Sequence, residues 1–314
     1  MLDIHKQSIL QTLAYFDLFD HPLTVFELYR WRWGNIPIPF LDFLICIDEL
    51  VTQGQIFSLS GYYGLSDREG LIVSIRETRV ELIHRKMAVA VRGIKLLRFV
   101  PFIRAVFVCN TVAAGVANEK SDIDLFIVSK EHRLWLVRFF STLLLRFFRL
   151  RTMGRKTSNR LCLSFFVSDK SLSFSSFSLK DDIYLHYWLL QLLPVYDPYN
   201  VLSSLFLEHN ISSSLSISAF SSLTSRWGII DIFFTRVWRS FFERIWGGGY
   251  GSFLEKQAKS FQLFQPYLRK VTEQSDMGHI LLSDDIIKLH DPDRRAEYKK
   301  KWQERYISLQ TKTH

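Results

Sequence analysis

Cysteine is scarce. Cys46, Cys109 and Cys162 are the three in 314 residues, far apart and in apolar runs. No pair forms a CxxC. This spacing argues against a disulfide framework and a structural zinc site, and fits a reducing, cytoplasmic setting. Uninterrupted apolar runs of the roughly 18–20 residues needed to span a membrane are missing too. Two stretches come close. Arg138, Arg146 and Arg149 break residues 134–150, and Asp231, Arg236, Arg239, Glu243 and Arg244 break residues 228–246. Both read as amphipathic helices with wide apolar faces; contact with a membrane surface is the less favoured reading. The opening MLDIHKQSIL lacks the apolar segment behind a basic one that marks a signal peptide. GxxxxGK[ST], GxSxG and HExxH are absent, which argues against P-loop, hydrolase-elbow and zincin chemistry.

What is present is the composition of a folded chain: 48% hydrophobic, 15% aromatic and 23% charged. The length fits about two or three domains. Forty Lys+Arg against 31 Asp+Glu leave a net charge of +9, unevenly spread. Residues 1–66 hold three basic and seven acidic residues, net −4, while residues 67–314 hold 37 and 24, net +13. A basic body fits a polyanionic ligand.

The pattern predicts an α+β chain in four parts. Residues 1–66 read as three helices and a hairpin, a winged-helix-like unit. Helical spacing runs over 3–19, Thr24 and Glu27 form a capping-box pair, and 40–53 makes the third helix. Strands at 56–59 and 62–65 flank Ser60-Gly61. The third helix carries Asp42, Asp48 and Glu49 and no Lys or Arg, so DNA binding by this unit is disfavoured. Residues 67–100 form a linking helix whose arginines read as a solvated face. Residues 101–170 alternate strand and helix: strands at 105–109, 122–128 and 161–167, a short helical turn at 112–117 and a helix at 134–150. Residues 171–314 read as helical, with a Ser-rich connector at 212–225 and a break at Gly247-Gly248-Gly249. His186 reads as core, and His290 as structural.

The chemistry concentrates in Asp122-Ile123-Asp124. A strand's period of two puts both carboxylates on one face and Ile123, Leu125 and Ile127 on the other. Paired carboxylates repel unless a cation sits between them. Magnesium is often held by one or two carboxylates together with substrate phosphates. The bland alternative is a loop cap or pairing with nearby lysines. The basic loop with Arg149, Arg151, Arg155, Lys156 and Arg160 reads either as solvated or as a phosphate grip. Asp291-Pro292-Asp293 repeats the acid spacing, but its proline spoils a central strand.

The stretch VFVCNTVAAGVANEKSDIDLFIV, residues 106–128, resembles the nucleotidyltransferase superfamily of the DNA-polymerase-β-like fold. The family pattern is a Gly-Ser turn after a strand, about ten residues, then an acidic–apolar–acidic strand. More loosely, the order of winged-helix-like start, long helix, core and helical C-terminal region resembles bacterial nucleotidyltransferase-domain proteins. The resemblance implies a central mixed sheet with helices and transfer of a nucleoside monophosphate from a nucleoside triphosphate to an acceptor hydroxyl. It makes Asp122 and Asp124 the catalytic carboxylates and ligands of Mg²⁺ or Mn²⁺. Asn110 and Thr111 stand where the family has Gly and Ser, and with Lys120 and Ser121 become nucleotide-binding candidates. The helix after the turn would add an anion site. Two features depart from the pattern: Asn110 replaces a glycine, and the later strand offers Ser164 where the family often has a third acid. A degenerate, nucleotide- or partner-binding protein is therefore the second expectation, and a winged-helix DNA-binding regulator the third. The acceptor is a protein, a small molecule or a nucleic acid.

Overall fold

The computed structural model describes residues 2–34, 36–68, 70–152, 156–175, 178–211, 226–264, 281–289 and 294–311. Arg155, the 212–225 connector, His290 and residues 291–293 fall outside the described residues. Within them the chain is α+β, with a small three-stranded sheet near the N-terminus and a mixed six-stranded sheet at its centre.

Ile9, Leu13 and Phe16 recur at helical spacing on α1 (Leu2–Asp17) and are buried. Thr24 starts α2 (Val25–Arg30) with a full capping box. The Glu27 N–H donates to Thr24 Oγ1 at 3.3 Å, and the Thr24 N–H donates to Glu27 Oε2 at 2.9 Å. Each end of the pair satisfies a donor that the helix itself leaves open. α3 (Phe40–Thr52) buries Phe43, Cys46, Ile47 and Leu50. β2 (Ile56–Leu59) and β3 (Tyr62–Leu65) form the hairpin expected at those residues, and β1 (Leu23–Thr24) lies on the other side of β3. This N-terminal core is completed from far along the chain. Tyr187 of α7 (Ile183–Leu190) and Trp302 of α11 (Arg295–Thr311) pack into the same cluster as Phe16, Phe43 and Leu50. Trp302 Nε1 donates to the Gln11 carbonyl at 2.9 Å, and Arg305 Nε to Asp17 Oδ2 at 2.8 Å.

The long helix α4 (Leu71–Leu97) leads into β4 (Ile103–Val108), α5 (Asn110–Ala113), β5 (Ile123–Ser129), α6 (Leu134–Phe147) and β6 (Leu161–Ser168). The central sheet runs β7-β4-β5-β6-β9-β8, where β7 is Leu193–Tyr196, β8 Leu281–Leu282 and β9 Ile286–Lys288. β5 and β6 are parallel and the remaining pairs antiparallel. α6 is the crossover that the parallel pair requires. The central strands β4, β5 and β6 bury both faces. Val106, Val108, Ile123, Leu125 and Ile127 enter one core, while Phe107, Phe126, Val128 and Phe165 enter the other.

The C-terminal part is not purely helical, as the sequence pattern had implied: it supplies β7, β8 and β9. Pro194 hides β7, because proline lacks the N–H of a central strand; β7 is an edge strand, where proline is tolerated. β8 and β9 are too short to show a period. The helix expected over 180–193 stops at Leu190, since the residue before Pro194 is pushed out of helical geometry. α8 (Val201–Glu208) was hidden too; Asp197 caps it, accepting from the Val201 N–H at 2.7 Å and the Leu202 N–H at 3.0 Å. α9 (Phe233–Ile245) begins later than residue 226, and α10 (Gly249–Leu263) follows the glycine break.

His186 on α7 meets the Trp33 ring edge-on, with centroids 5.1 Å apart. Burial lowers its pKa from 6.5 to about 4. The unfolded chain therefore takes up the proton first. The neutral imidazole's contribution is complete above pH 6.5 and is lost as pH falls towards about 4, at a cost of up to about 3 kcal/mol. Thermal melts across pH 7 to 4.5 should show a shallower loss of stability in His186→Phe than in the native chain. Identical slopes would show that this histidine is not held neutral.

Candidate functional site

Asp122 sits at the foot of β5 and Asp124 within it. Ile123, Leu125 and Ile127 fill one core, so Asp124 shares the opposite face with Phe126 and Val128. The bend after β4 is tied to this point: the Cys109 N–H donates to the Asp124 carbonyl at 3.0 Å. On the other side, Cys162 of β6 is the ladder partner of Asp124. The ligand atoms of Asp122, Asp124 and Cys162 all lie within 4.8 Å of one another.

The two thiols here are held neutral. Burial raises the Cys162 pKa to about 12, with the Asp124 charge adding and a hydrogen bond with Ser164 opposing. Burial and Asp124 together push Cys109 well above the usual thiol range. The two carboxylates are the oxygen donors of this group and suit a hard divalent cation such as Mg²⁺ or Mn²⁺, whereas sulfur suits softer metals. Ser164, the residue the sequence placed in the third-acid position, is two residues further along β6, with its hydroxyl hydrogen-bonded to the Cys162 thiol. Asp169 is at the far end of the strand. It accepts from the Glu131 N–H at 2.9 Å, with Arg104 Nε 3.7 Å away, so it does not serve as a third acid here.

Asn110 has φ 55°, in the left-handed region that asparagine tolerates better than most residues. Its Oδ1 accepts from Trp188 Nε1 at 2.8 Å. The side chain is thus folded back on α7, which gives the asparagine a role a glycine lacks. Thr111 is exposed beside it. α5 is a single turn of four residues, too short to gather the dipole expected of an anion-binding helix end. Lys120 is exposed, whereas the Ser121 hydroxyl is used inside its own turn. It accepts from the Asn118 N–H at 3.0 Å, while Asn118 Oδ1 takes the N–H groups of Lys120 and Ser121 at 2.9 and 3.0 Å.

Lys86 was missed: of the linking helix, only the arginines were given a reading. It is fully buried on α4, and its Nζ donates to the Ser121 carbonyl at 2.7 Å, Asn159 Oδ1 at 3.2 Å and the Glu119 carbonyl at 3.4 Å. Burial lowers its pKa, against the pull of Glu119 and Asp122. One cation thus pins the turn before Asp122 to the loop before β6. That loop adds Ser158 Oγ to the Glu119 carbonyl at 2.5 Å. Lys156 and Arg149 are exposed, and Arg151 is bridged to Leu161. An isolated lysine in a helical pattern gives no warning that it is buried.

Asn110 and Thr111 also line a cavity of about 320 Å³. Its walls include Phe16, Phe19, Tyr184 and Trp188, with Arg79 at one side. Arg79 Nη1 donates to the carbonyls of Phe19 and Asp20, both at 2.9 Å, and Tyr184 stacks on Tyr298 at 5.3 Å. The Asn-Thr bend thus borders an aromatic cavity and, through the preceding Cys109, is tied to the strand of the carboxylate pair. No family model, curated protein or solved structure matches the chain.

Lys86→Met removes the shared charged donor of three part-buried hydrogen bonds, which costs about 1.5–3 kcal/mol. Denaturant unfolding should show that loss, with faster amide exchange over residues 118–122. A shift below about 0.5 kcal/mol, the scale of ordinary surface changes, would mean the clamp carries no weight.

Proposed function

We propose that the chain is a nucleotidyltransferase, moving a nucleoside monophosphate from a triphosphate to an acceptor hydroxyl. The observation that carries this is the meeting of Asp122 and Asp124 at the foot of β5, beside the bend at Asn110-Thr111. Asp122 and Asp124 would hold Mg²⁺ or Mn²⁺, which when bound neutralises charge on the triphosphate. Thr111 offers its hydroxyl to a phosphate oxygen, and Lys120 adds an exposed cation. The aromatic cavity beyond the bend suits a planar base or an aromatic acceptor, since ring faces stack on ring faces. The order of three helices and a small sheet in residues 2–65, followed by α4 and a mixed sheet, supports a winged-helix-like unit before a nucleotidyltransferase core. The acidic third helix speaks for a packing role of that unit rather than DNA reading, a view favoured by its shared core with Tyr187 and Trp302.

A second reading has its own support. Beside the two acids the third group is Cys162, a thiol held protonated and not a carboxylate that could take the acceptor's proton. Loss of a general base typically costs about 10²–10⁴-fold. On that reading the chain binds a nucleotide or a partner without turnover.

Incubation with α-phosphate-labelled triphosphates, Mg²⁺ or Mn²⁺ and a cell extract separates the two. The enzyme reading expects label on an acceptor, lost by at least about a hundredfold in Asp122→Asn and Asp124→Asn. Equal label in native chain and variants would refute the site. No label, with metal-dependent triphosphate binding that the same variants abolish, is the result the second reading expects.

A further inference from the structure

The helix α9 is turned inside out. Thr235, Arg239 and Glu243 recur every four residues and face the protein, whereas the ring-bearing side faces away. Thr235 and Arg239 are 0% and 6% exposed, against 76% for Phe233, 59% for Phe241, 50% for Val237 and 41% for Trp238. The polar contacts beneath explain this rotation. Arg239 pairs with Asp231 and lies over the Tyr196 ring, 5.6 Å from its centroid, and the Tyr196 hydroxyl donates to Asp231 at 3.1 Å. Glu243 accepts from the Phe102 N–H at 2.7 Å and from Arg104 Nη1 at 3.3 Å. Rolling the helix to hide its aromatic rings would break both acid–arginine pairs. Exposure of the rings is thus fixed by the fold.

A groove of about 430 Å³ adjoins this face between α9 and α6, lined by Leu143, Phe147, Trp238, Phe242 and Trp246 among others. Phe147 is largely exposed. Among the described residues, the exposed charges of α9 and of the end of α6 have one sign. Arg236 and Arg244 flank it on α9, and Arg146 and Arg149 stand exposed at the end of α6. The acids of α9 and its approach, Asp231 and Glu243, are turned inward and paired. Residues 134–151 contain no acid.

We propose that α9 and this groove dock the protein on an anionic lipid bilayer. Aromatic rings beside arginines suit the boundary between headgroups and acyl chains, where such a helix lies in the plane with its apolar side sunk about 5–10 Å. Anionic headgroups answer the arginines. A second copy of the chain fits worse, because a two-fold contact through this face brings arginines against arginines with no exposed acid from these segments between them. Among the described residues no helix is long and apolar enough to cross a membrane, so the contact is peripheral. The proposal is independent of the transferase reading.

Co-sedimentation of the full chain tests it, with vesicles of phosphatidylcholine alone and of phosphatidylcholine mixed with phosphatidylglycerol. The native chain should pellet with the mixed vesicles and bind the neutral ones at least about tenfold more weakly. Phe233→Ser combined with Phe241→Ser should abolish pelleting, and Arg236→Glu combined with Arg244→Glu should weaken it by about tenfold or more. All four side chains are exposed, so circular dichroism and melting temperature should stay at native values in both variants. A native chain left in the supernatant overturns the proposal. So does pelleting that neither variant changes. Concentration-dependent dimers that Phe233→Ser with Phe241→Ser dissolves, without vesicle binding by the native chain, would assign the face to a second copy instead.

Discussion

The two-residue period of β5, locked between β4 and β6, is the constraint on which the site rests. Ile123, Leu125 and Ile127 enter the core shared with Val106 and Leu161, and a slip of one residue would turn Asp124 into that core and Phe126 and Val128 out of theirs. Once that choice is made, Asp124 has only the opposite face, where Cys162 lies beside it in the parallel ladder. The Cys109 N–H fixes the bend of β4 against the same residue. Burying a carboxylate carries a desolvation penalty that hydrophobic packing alone would never favour, so this strand end is a natural place to look for function.

Much of this was legible before the fold was known, and the reasons differ by element. The β2–β3 hairpin follows from Ser60-Gly61 between two short apolar strands, and the capping box from Thr24 and Glu27; both are local signals, and local signals survive in a sequence. The shared face of Asp122 and Asp124 follows from strand alternation alone. What could not be read depends on distant partners. Lys86 looks like any surface lysine until Ser121, Glu119 and Asn159 surround it. Cys162, Ser164 and Asp169 all lie far from Asp124 in sequence; the parallel register of β6 selects Cys162. Trp302 reaches the N-terminal core from the other end of the chain. β7 was masked by Pro194, whose place at the sheet edge is a fact of topology. Residues 226–246 were read correctly as amphipathic, but no periodicity says which side of a helix faces inward; Asp231 and Arg104 decided it.

The two halves of the molecule are built on opposite electrostatic plans. In residues 1–66 acids outnumber bases, and this part is held by aromatic packing and by arginines from α4 and α11, such as Arg76 on Glu27 at 2.7 Å. The rest of the chain carries the positive excess, and around α9 its acids Asp231 and Glu243 are turned inward onto Arg239 and Arg104. Its exposed arginines are thereby free to face polyanions. The nucleotide proposed for the foot of β5 and the lipid headgroups proposed for α9 are both anionic, and the two surfaces lie on different elements.

The most direct measurement of the central claim is anomalous diffraction from crystals of the full chain grown with Mn²⁺ and a non-hydrolysable nucleoside triphosphate. A manganese peak at roughly 2.0–2.3 Å from a carboxylate oxygen of both Asp122 and Asp124, with triphosphate density reaching toward Thr111, is the predicted result. Manganese bound only elsewhere, with the two carboxylates left uncoordinated, would contradict it.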